Sequence, residues 1–378
     1  MAAAPLLSSL DHGAARIIVT VPAEATHLKE AFRFQAGACR FMGSPFTGDL
    51  LDASASKIGA GGVLDEILAG WFGSPIAELA HSVLPLRLAG ALHRVVLTGA
   101  DAALSAAYPG PGKSGDGAAA WRAAEAYIAD HKAWFVERLD QPPQTNEVRR
   151  SAALMAGLLT LAGECRMPFS LLELGASAGL NLNLDAFSYR NDVWRWGAGD
   201  DLVIDTEWSG GSPPLVPFTV AARAGCDRNP LDPASEEDRL TLTSFVWPDQ
   251  FDRLDRLRRA LDIALRRGGK VERADAADWV EARLADRSAG CVTVVYHSVF
   301  YQYPPPATRE RIDRAIRAAG AAATPEAPLA WLRFEPESAL NGSVTDYRGV
   351  LDLLAWPAGT HRVLAEVDAH GRNVRWLP

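Results

Sequence analysis

From Ser151 onward, short apolar runs alternate with longer stretches of helical spacing, and this alternation limits the possible folds more than any other feature of the chain. The run CVTVVYHSVF (291–300) is rich in β-branched residues and has the length of a buried strand. Similar runs are FSLLELG (169–175), FTVAARAGCD (218–227), KVERAD (270–275) and APLAWLRFEP (327–336). Strands that alternate with helices are typical of βαβ units, so we predict an α/β fold with a mainly parallel sheet.

The intervening helices have recognisable ends. Ser235 has the character of an N-cap and is followed by three acidic residues, which favour the positive end of a helix. The stretch FDRLDRLRRALDIALRRGG (251–269) ends in arginines and glycines, as helices often do. Its apolar stripe consists of Leu254, Leu257, Leu261 and Leu265.

The two ends of the chain differ from this middle part. Residues 24–99 and 118–139 have helical spacing, whereas YPGPGKSGDG (108–117) has the composition of a loop. Residues 350–377 have no helical period, and PAGT (357–360) divides them into two predicted strands, an antiparallel edge on the parallel sheet. We therefore expect a helical N-terminal cap region over residues 1–145 and an α/β domain over residues 146–378.

The stretch LLELGASAG (171–179) admits two interpretations of Ser177. GASAG matches the G-x-S-x-G turn of serine hydrolases, and Asp352 or Asp368 with His370 follow in the chain order of an α/β-hydrolase triad. However, no H-G-G-G segment precedes the turn, and the preceding part of the chain has a helical pattern. ELGASAG also matches the acidic-x-G-x-x-x-G turn of Rossmann-like methyltransferases, while a tight turn without any ligand is the third interpretation.

From about Asn146 to its end, the chain resembles the S-adenosylmethionine-dependent methyltransferases, most specifically in LLELGASAG and in its antiparallel finish. The resemblance implies a Rossmann-like seven-stranded sheet that binds the cofactor at the carboxyl ends of its strands. The whole chain, including PPQTNEVRRSAAL (142–154) and VVYHSVFYQY (294–303), also resembles an uncharacterised prokaryotic family. A non-catalytic protein of the same fold that binds a metabolite is a further possibility.

The methyltransferase resemblance implies a set of cofactor-binding residues. Those around the methionine part are Glu173, Gly175, Ala176, Ser177, Gly179 and Asn181. Asp227 would bind the ribose, and Asp275 with Ala276 would lie beside the adenine, Asp278 being the weaker choice. The stretch between Glu173 and Asp227 is long for this fold, so we expect an inserted hairpin near residues 188–215. We expect GLNLNLD (179–185) to be helical, because parallel strands need a crossover.

Catalytic and substrate-binding candidates lie in two segments. His297 ends a predicted strand, where an imidazole could take a proton from a hydroxyl or acidic N–H acceptor, and Tyr301 follows it. A hydrogen-bonded structural histidine and simple aromatic packing are the alternatives. Asn146, Glu147 and Arg149 are candidates for binding the substrate, although Thr145 has the character of an N-cap with Glu147 in the first helical turn.

Composition excludes several classes of partner. The formal net charge of −8 argues against nucleic acid, and the four cysteines form no C-x-x-C pair, so we expect no metal site. The first residues lack a basic region before their apolar run, and SAALMAGLLTLAG (151–163) is too short to span a bilayer. We expect a cytoplasmic enzyme that acts on a small molecule, with no membrane contact.

Overall fold

Helices alone form the first part of the chain, and a sheet with helices forms the rest. The computed structural model describes residues 23–269, 271–341 and 348–378. Residues 23–140, all of them described, contain eight α-helices and a 3-10 turn at Ala69–Trp71, and no strand. The helices are α1 Ala23–Phe41, α2 Pro45–Ala55, α3 Val63–Ile67, α4 Ile76–Ser82, α5 Leu84–Leu97, α6 Ala102–Ala107, α7 Gly117–Asp130 and α8 Lys132–Asp140.

These eight helices bury a hydrophobic core of their own. Phe32 and Trp121 lie at its centre, and Trp247, from much later in the chain, packs into the same core. Close by, Asp249 accepts hydrogen bonds from Phe46 N and from the Ser44 hydroxyl at the start of α2. Residues 247–249 therefore join the helical region to the α/β part, while the predicted domain boundary at residue 145 stays a prediction.

Twelve strands occur in the described part of the chain, and nine of them form one sheet. The order across the sheet is β5-β12-β11-β10-β9-β8-β1-β6-β7, in which β7, β6, β1, β8 and β9 are parallel. The strands are β1 Phe169–Leu174, β2 Ser188–Arg190, β3 Arg195–Trp196, β4 Val203–Asp205, β5 Glu207–Ser209, β6 Val220–Asp227, β7 Val271–Arg273, β8 Val292–Ser298, β9 Leu329–Pro336, β10 Gly349–Trp356, β11 Thr360–Val367 and β12 Asn373–Trp376.

The α/β prediction is confirmed, and β10 and β11 form the expected antiparallel hairpin. The described sheet has nine strands rather than the predicted seven, because two more strands extend the hairpin edge. β12 pairs with β11 in antiparallel fashion, and β5 pairs with β12 in parallel fashion. Trp208 of β5 stacks on Trp376 of β12, with 5.6 Å between ring centroids, so the two indoles pack these outer strands together.

The segment between β1 and β6 contains more than the predicted hairpin. β2 and β3 form an antiparallel pair, and β4 adds a parallel strand on the other side of β2. The stretch predicted as a crossover helix is a 3-10 helix, Leu180–Ala186, with non-helical dihedral angles at Asn183. The Asn183 side chain donates to the Gly179 carbonyl, a local bond of the kind that competes with regular α-helix.

Helices cover both faces of the sheet. Successive residues of β1 face opposite sides, because Leu171 packs in the cluster that contains α9 and α11 and Leu172 in the cluster that contains α12 and α13. Ser235 caps α10 as predicted, whereas Leu265 at the end of the α11 stripe is exposed. These helices are α9 Ser151–Glu164, α10 Glu236–Ser244, α11 Phe251–Arg267, α12 Ala276–Ala285, α13 Pro306–Ala321 and α14 Glu337–Asn341.

None of the helices within the described ranges is long and apolar enough to cross a membrane.

Candidate functional site

The order in which strands are added to the sheet changes side at β1. After β1 the chain adds β6 and β7 on one side, and then returns to add β8 and β9 on the other side. In parallel sheets, ligands bind outside the carboxyl ends of the strands at such a switch point. The turn Gly175–Gly179, which we call the glycine turn, begins at the carboxyl end of β1 and therefore lies at this position.

The backbone of the glycine turn lies in the left-handed region at three of its residues, a conformation that favours glycine. Gly175, Ser177 and Gly179 all have positive φ, with values of 66°, 53° and 69°. A Cβ atom on Gly175 would come within 2.3 Å of the Phe300 ring, so the backbone and this ring can approach only because residue 175 is glycine. Phe300 follows β8, and its packing therefore joins the two strands on either side of the switch point.

Hydrogen bonds from two other segments, residues 144–146 and the end of β6, hold the glycine turn and Leu180 after it. Asp227, at the end of β6, accepts from Ser177 N at 2.9 Å through one carboxylate oxygen and from Asn229 N at 2.8 Å through the other. Asn146 Oδ1 accepts from Leu180 N at 3.0 Å, and the Ser177 hydroxyl donates to Gln144 Oε1 at 3.0 Å. Asn146 and Asp227, two candidate site residues that lie far apart in the sequence, are thus brought together beside the glycine turn.

The surroundings of Ser177 bear on the hydrolase interpretation. A serine nucleophile needs a neighbouring base to take its proton, and the amide oxygen of Gln144 cannot serve as one. His370, the histidine of the proposed triad, lies in the turn between β11 and β12, with its ring 5.7 Å from that of Trp247. This geometry favours a structural or ligand-binding role for Ser177.

Two buried polar side chains lie at the ends of the glycine turn. Glu173 is only 2 % exposed. Burial raises the pKa of its carboxyl well above the ordinary 4.5, and this effect outweighs a hydrogen bond from the Tyr296 hydroxyl, which lowers the pKa. Asn181 is 1 % exposed and donates through Nδ2 to the Glu147 carbonyl. Its Oδ1 has no hydrogen-bond partner in the part of the chain that the structure describes.

The acid predicted beside the adenine lies at the same edge. Ala274 N donates to the Asp227 carbonyl, which brings the end of β7 next to the end of β6. Asp275 is the N-cap of α12, and its Oδ1 accepts from Ala277 N at 2.9 Å. Asp278, one turn further on, is exposed and pairs with Arg311. Asp275, with Ala276 behind it, is therefore the better placed of the two acids, while its cofactor role stays a prediction.

His297 is completely buried and makes contacts with both ring nitrogens. Nδ1 lies 2.6 Å from Glu335 Oε1, and Nε2 accepts from the Trp331 indole at 3.2 Å. The Tyr301 ring stacks on the imidazole with 5.0 Å between centroids, and its hydroxyl donates to the Arg309 carbonyl. In this arrangement His297 and Tyr301 hold the loop after β8, and their predicted catalytic role would require a rearrangement.

Glu335 and Phe300 were not among the sequence-based candidates. Glu335 is completely buried, accepts from Phe300 N at 2.8 Å, and has no partner for its Oε2 among the described residues. It lies near the end of β9, so the signal that identified Asp227, an acid near the end of a strand, could have identified it too. No local pattern marks Phe300, because its importance depends on a contact with Gly175.

The segment before α9 is held by charge. Glu147, not Thr145, is the N-cap of the 3-10 turn Val148–Arg150, and it accepts from Arg149 N. Its carboxylate lies 2.7 Å from Arg253 of α11. Burial would raise the pKa of Glu147, but the attraction of Arg253 and its neighbours outweighs this and lowers the pKa to about 2. Glu147 is therefore ionised at neutral pH.

Comparisons with known proteins give one match. Residues 29–376 match the model of a family described as "Uncharacterized protein conserved in bacteria (DUF2332)". No curated protein and no solved structure matches the chain. Within the described residues, no group of three or more His, Cys, Asp or Glu side chains is arranged to hold a metal ion.

Proposed function

The chain belongs to this uncharacterised bacterial family, DUF2332, and we propose that the protein binds S-adenosylmethionine and transfers its methyl group to a small molecule. The proposal treats the main sheet as a methyltransferase-type sheet that two further strands extend at the hairpin edge. The observation that carries it is the glycine turn at the switch point, with acids close to the ends of three adjacent strands. These acids are Glu173 near the end of β1, Asp227 at the end of β6 and Asp275 after β7.

Unused hydrogen-bond capacity at this edge supports a ligand. Asn181 Oδ1 and Glu335 Oε2 are buried acceptors without a partner among the described residues. Such atoms are rare in folded proteins, because burying an acceptor without a donor costs about 1–3 kcal/mol. The methionine part of S-adenosylmethionine carries an ammonium group, a donor that fits Asn181. Asp275 has one carboxylate oxygen on Ala277 N, which leaves the second for a ligand.

Phe300 sets a condition on this proposal. Its ring fills the space where a Cβ on Gly175 would lie, so a ligand that approaches the Gly175 backbone has to displace it. Val299 has a φ of 52°, a conformation that β-branched residues rarely adopt, and it immediately precedes the ring. We therefore propose that Phe300 moves away from Gly175 when the cofactor binds.

The protein's own part in the reaction is to hold and shield the reactants. When bound, the cofactor would supply an electrophilic sulfonium methyl carbon that the acceptor attacks, with S-adenosylhomocysteine as the leaving group. The chain then has to align the acceptor and exclude water, which can lower the barrier without a catalytic triad. Burial raises the pKa of the Glu173 carboxyl, which makes its neutral form more favourable than in an exposed glutamate.

A matched pair of substitutions tests the proposal. Asp275→Asn keeps the N-cap, because asparagine caps helices as well as aspartate, and it removes only the charge. We expect the affinity for S-adenosylhomocysteine, measured by titration calorimetry, to fall about tenfold, the value of one hydrogen bond to a charged group. Asp278→Asn is the control and should leave the affinity unchanged. Equal affinity in both variants would contradict the proposed site.

The condition on Phe300 has its own test. If the ring must be displaced, Phe300→Ala removes that cost, and S-adenosylhomocysteine should bind more tightly than to the wild-type protein. Phe300→Leu, which keeps an apolar side chain, should give an intermediate affinity. Weaker binding by Phe300→Ala would mean that the ring contacts the ligand or that the ligand lies elsewhere.

A further inference from the structure

A cleft beside the glycine turn is rich in arginine. It lies between the segment before α9 and the helices α10 and α11. Its lining includes Thr145, Asn146, Glu147, Val246, Arg253 and Arg256. Two of these residues also contact the 3-10 helix that follows the glycine turn, because Asn146 Oδ1 accepts from Leu180 N and the Glu147 carbonyl accepts from Asn181 Nδ2.

Positive charge exceeds negative charge around this cleft. The side chains of Arg149, Arg253 and Arg256 are only 14 %, 11 % and 10 % exposed. Arg253 pairs with Glu147 at 2.7 Å, but Arg149 and Arg256 share one carboxylate, that of Asp252, at 3.1 and 3.0 Å. Three guanidinium groups thus have two carboxylates between them, and cations that are this well buried are costly without counter-charge.

The neighbouring charges do not remove this excess. Arg150, next in the chain, adds a fourth guanidinium group, which donates to the carbonyls of Ala369 and Ser298 and is attracted by the Glu147 and Glu335 carboxylates. Asp368 attracts Arg149, but it also lies 3.8 Å from a fifth cation, Arg372, so these five arginines still exceed the four carboxylates Glu147, Asp252, Glu335 and Asp368.

The polar groups in the cleft that still lack a hydrogen-bond partner among the described residues are donors. Arg256 Nε has no hydrogen-bond partner in the described ranges, and the residue is 8 % exposed. One oxygen of Glu147 accepts from Arg149 N, and the other lies 2.7 Å from Arg253 Nε as an ion pair. Arg253 Nε, like Arg256 Nε, makes no hydrogen bond within the described residues. The Asn146 amide has its oxygen on Leu180 N, so its Nδ2 hydrogens remain. A ligand that completes this set has to bring an acceptor with negative charge.

We propose that this cleft binds the acid group, a carboxylate or a phosphate, of a small molecule. Arg256 supplies the unbalanced charge and a free N–H, and Asn146 supplies further donors. Bonds from an ionised group to arginine are among the stronger hydrogen bonds in proteins. Naming this molecule as the methyl acceptor rests on the proposed function, whereas the binding of the acid group does not.

The test uses the full-length protein without cofactor. Acetate and inorganic phosphate are titrated at constant ionic strength, with acetamide as the neutral counterpart of acetate, and binding is followed by calorimetry and by the thermal unfolding temperature. Arg256→Gln leaves Arg149 and Arg253 with two carboxylates, a balanced set. Arg258→Gln is the matched control, because Arg258 lies on the same helix, 62 % exposed and paired with Asp255 and Asp262. Asn146→Asp keeps an oxygen for Leu180 N but adds a repelling charge.

We expect at least one of the two anions to bind at millimolar concentration and acetamide not to bind. Arg256→Gln and Asn146→Asp should each lower the affinity for that anion tenfold or more, and Arg258→Gln should leave the affinity unchanged. Acetate without phosphate identifies a carboxylate site, and the reverse identifies a phosphate site. Failure of both anions to bind the wild type, or wild-type affinity in Asn146→Asp, would overturn the proposal. Because no cofactor is present, these results are independent of methyl transfer.

Discussion

Glu147 gives the clearest quantitative prediction. Its carboxylate is 7 % exposed and its pKa lies at about 2, against an ordinary 4.5, because the attraction of Arg253 and its neighbours outweighs the burial that would raise it. A group whose pKa is lower in the folded state stabilises the fold above its unfolded pKa and ceases to do so as the pH falls through the folded one. The difference corresponds to about 3 kcal/mol of unfolding free energy at neutral pH.

Glu147→Gln should therefore lower the unfolding free energy by about 3 kcal/mol at neutral pH. An independent estimate agrees, since removing one partner of a buried ion pair costs about 3–5 kcal/mol. The difference between the two proteins should shrink as the pH falls, and at about pH 3.5 it should be about 1.5 kcal/mol smaller. It should be constant between about pH 6 and pH 8, because the wild-type carboxylate is ionised throughout that range.

The assay is urea unfolding followed by tryptophan fluorescence over this pH range. Circular dichroism checks that both proteins are folded at the lowest pH used. Glu137→Gln, which alters an exposed carboxylate of α8, is the control and should change the unfolding free energy by less than about 0.5 kcal/mol at every pH. A cost of Glu147→Gln that is equally large at low and neutral pH would refute the assigned cause, because an uncharged contact has no such pH dependence.

Three further predictions concern packing and capping. Gly175→Ala should cost roughly 2–4 kcal/mol in urea unfolding, because its Cβ would overlap Phe300 at a positive φ, and adding Phe300→Ala should recover part of this loss. Tyr108→Phe should raise the thermal unfolding temperature or leave it unchanged, since the buried hydroxyl has no partner among the described residues; a marked fall would mean that the hydroxyl is hydrogen-bonded. Asp275→Asn should change stability by less than about 0.5 kcal/mol, and a larger loss would mean that its charge has a structural role.

The elements that the sequence predicted well are those with local signals. β6 ends at Asp227 as expected, and α11 extends over Phe251–Arg267, close to its marked ends. Ser235 caps α10 and accepts from Asp238 N at 3.2 Å. An N-cap, a helical stripe and a β-branched run each depend on neighbours within a few residues, so one sequence is enough to find them.

Features that depend on distant contacts were missed. β5 joins the main sheet only by pairing with β12, which lies more than 160 residues later. The surroundings of His297 are set by β9, whose Trp331 and Glu335 approach it because β8 and β9 are neighbours. The sequence located His297 at the end of a strand but carried no information on these partners. The fold class was thus predictable, whereas the chemical environment of each candidate residue required the strand order.

Cofactor binding at the glycine turn is tested most directly by a calorimetric titration of the wild-type protein with S-adenosylmethionine and S-adenosylhomocysteine. We predict saturable binding of both, with one molecule per chain and a dissociation constant in the micromolar range. No binding of either compound at millimolar concentration would contradict the claim that the glycine turn at the end of β1 is a cofactor site.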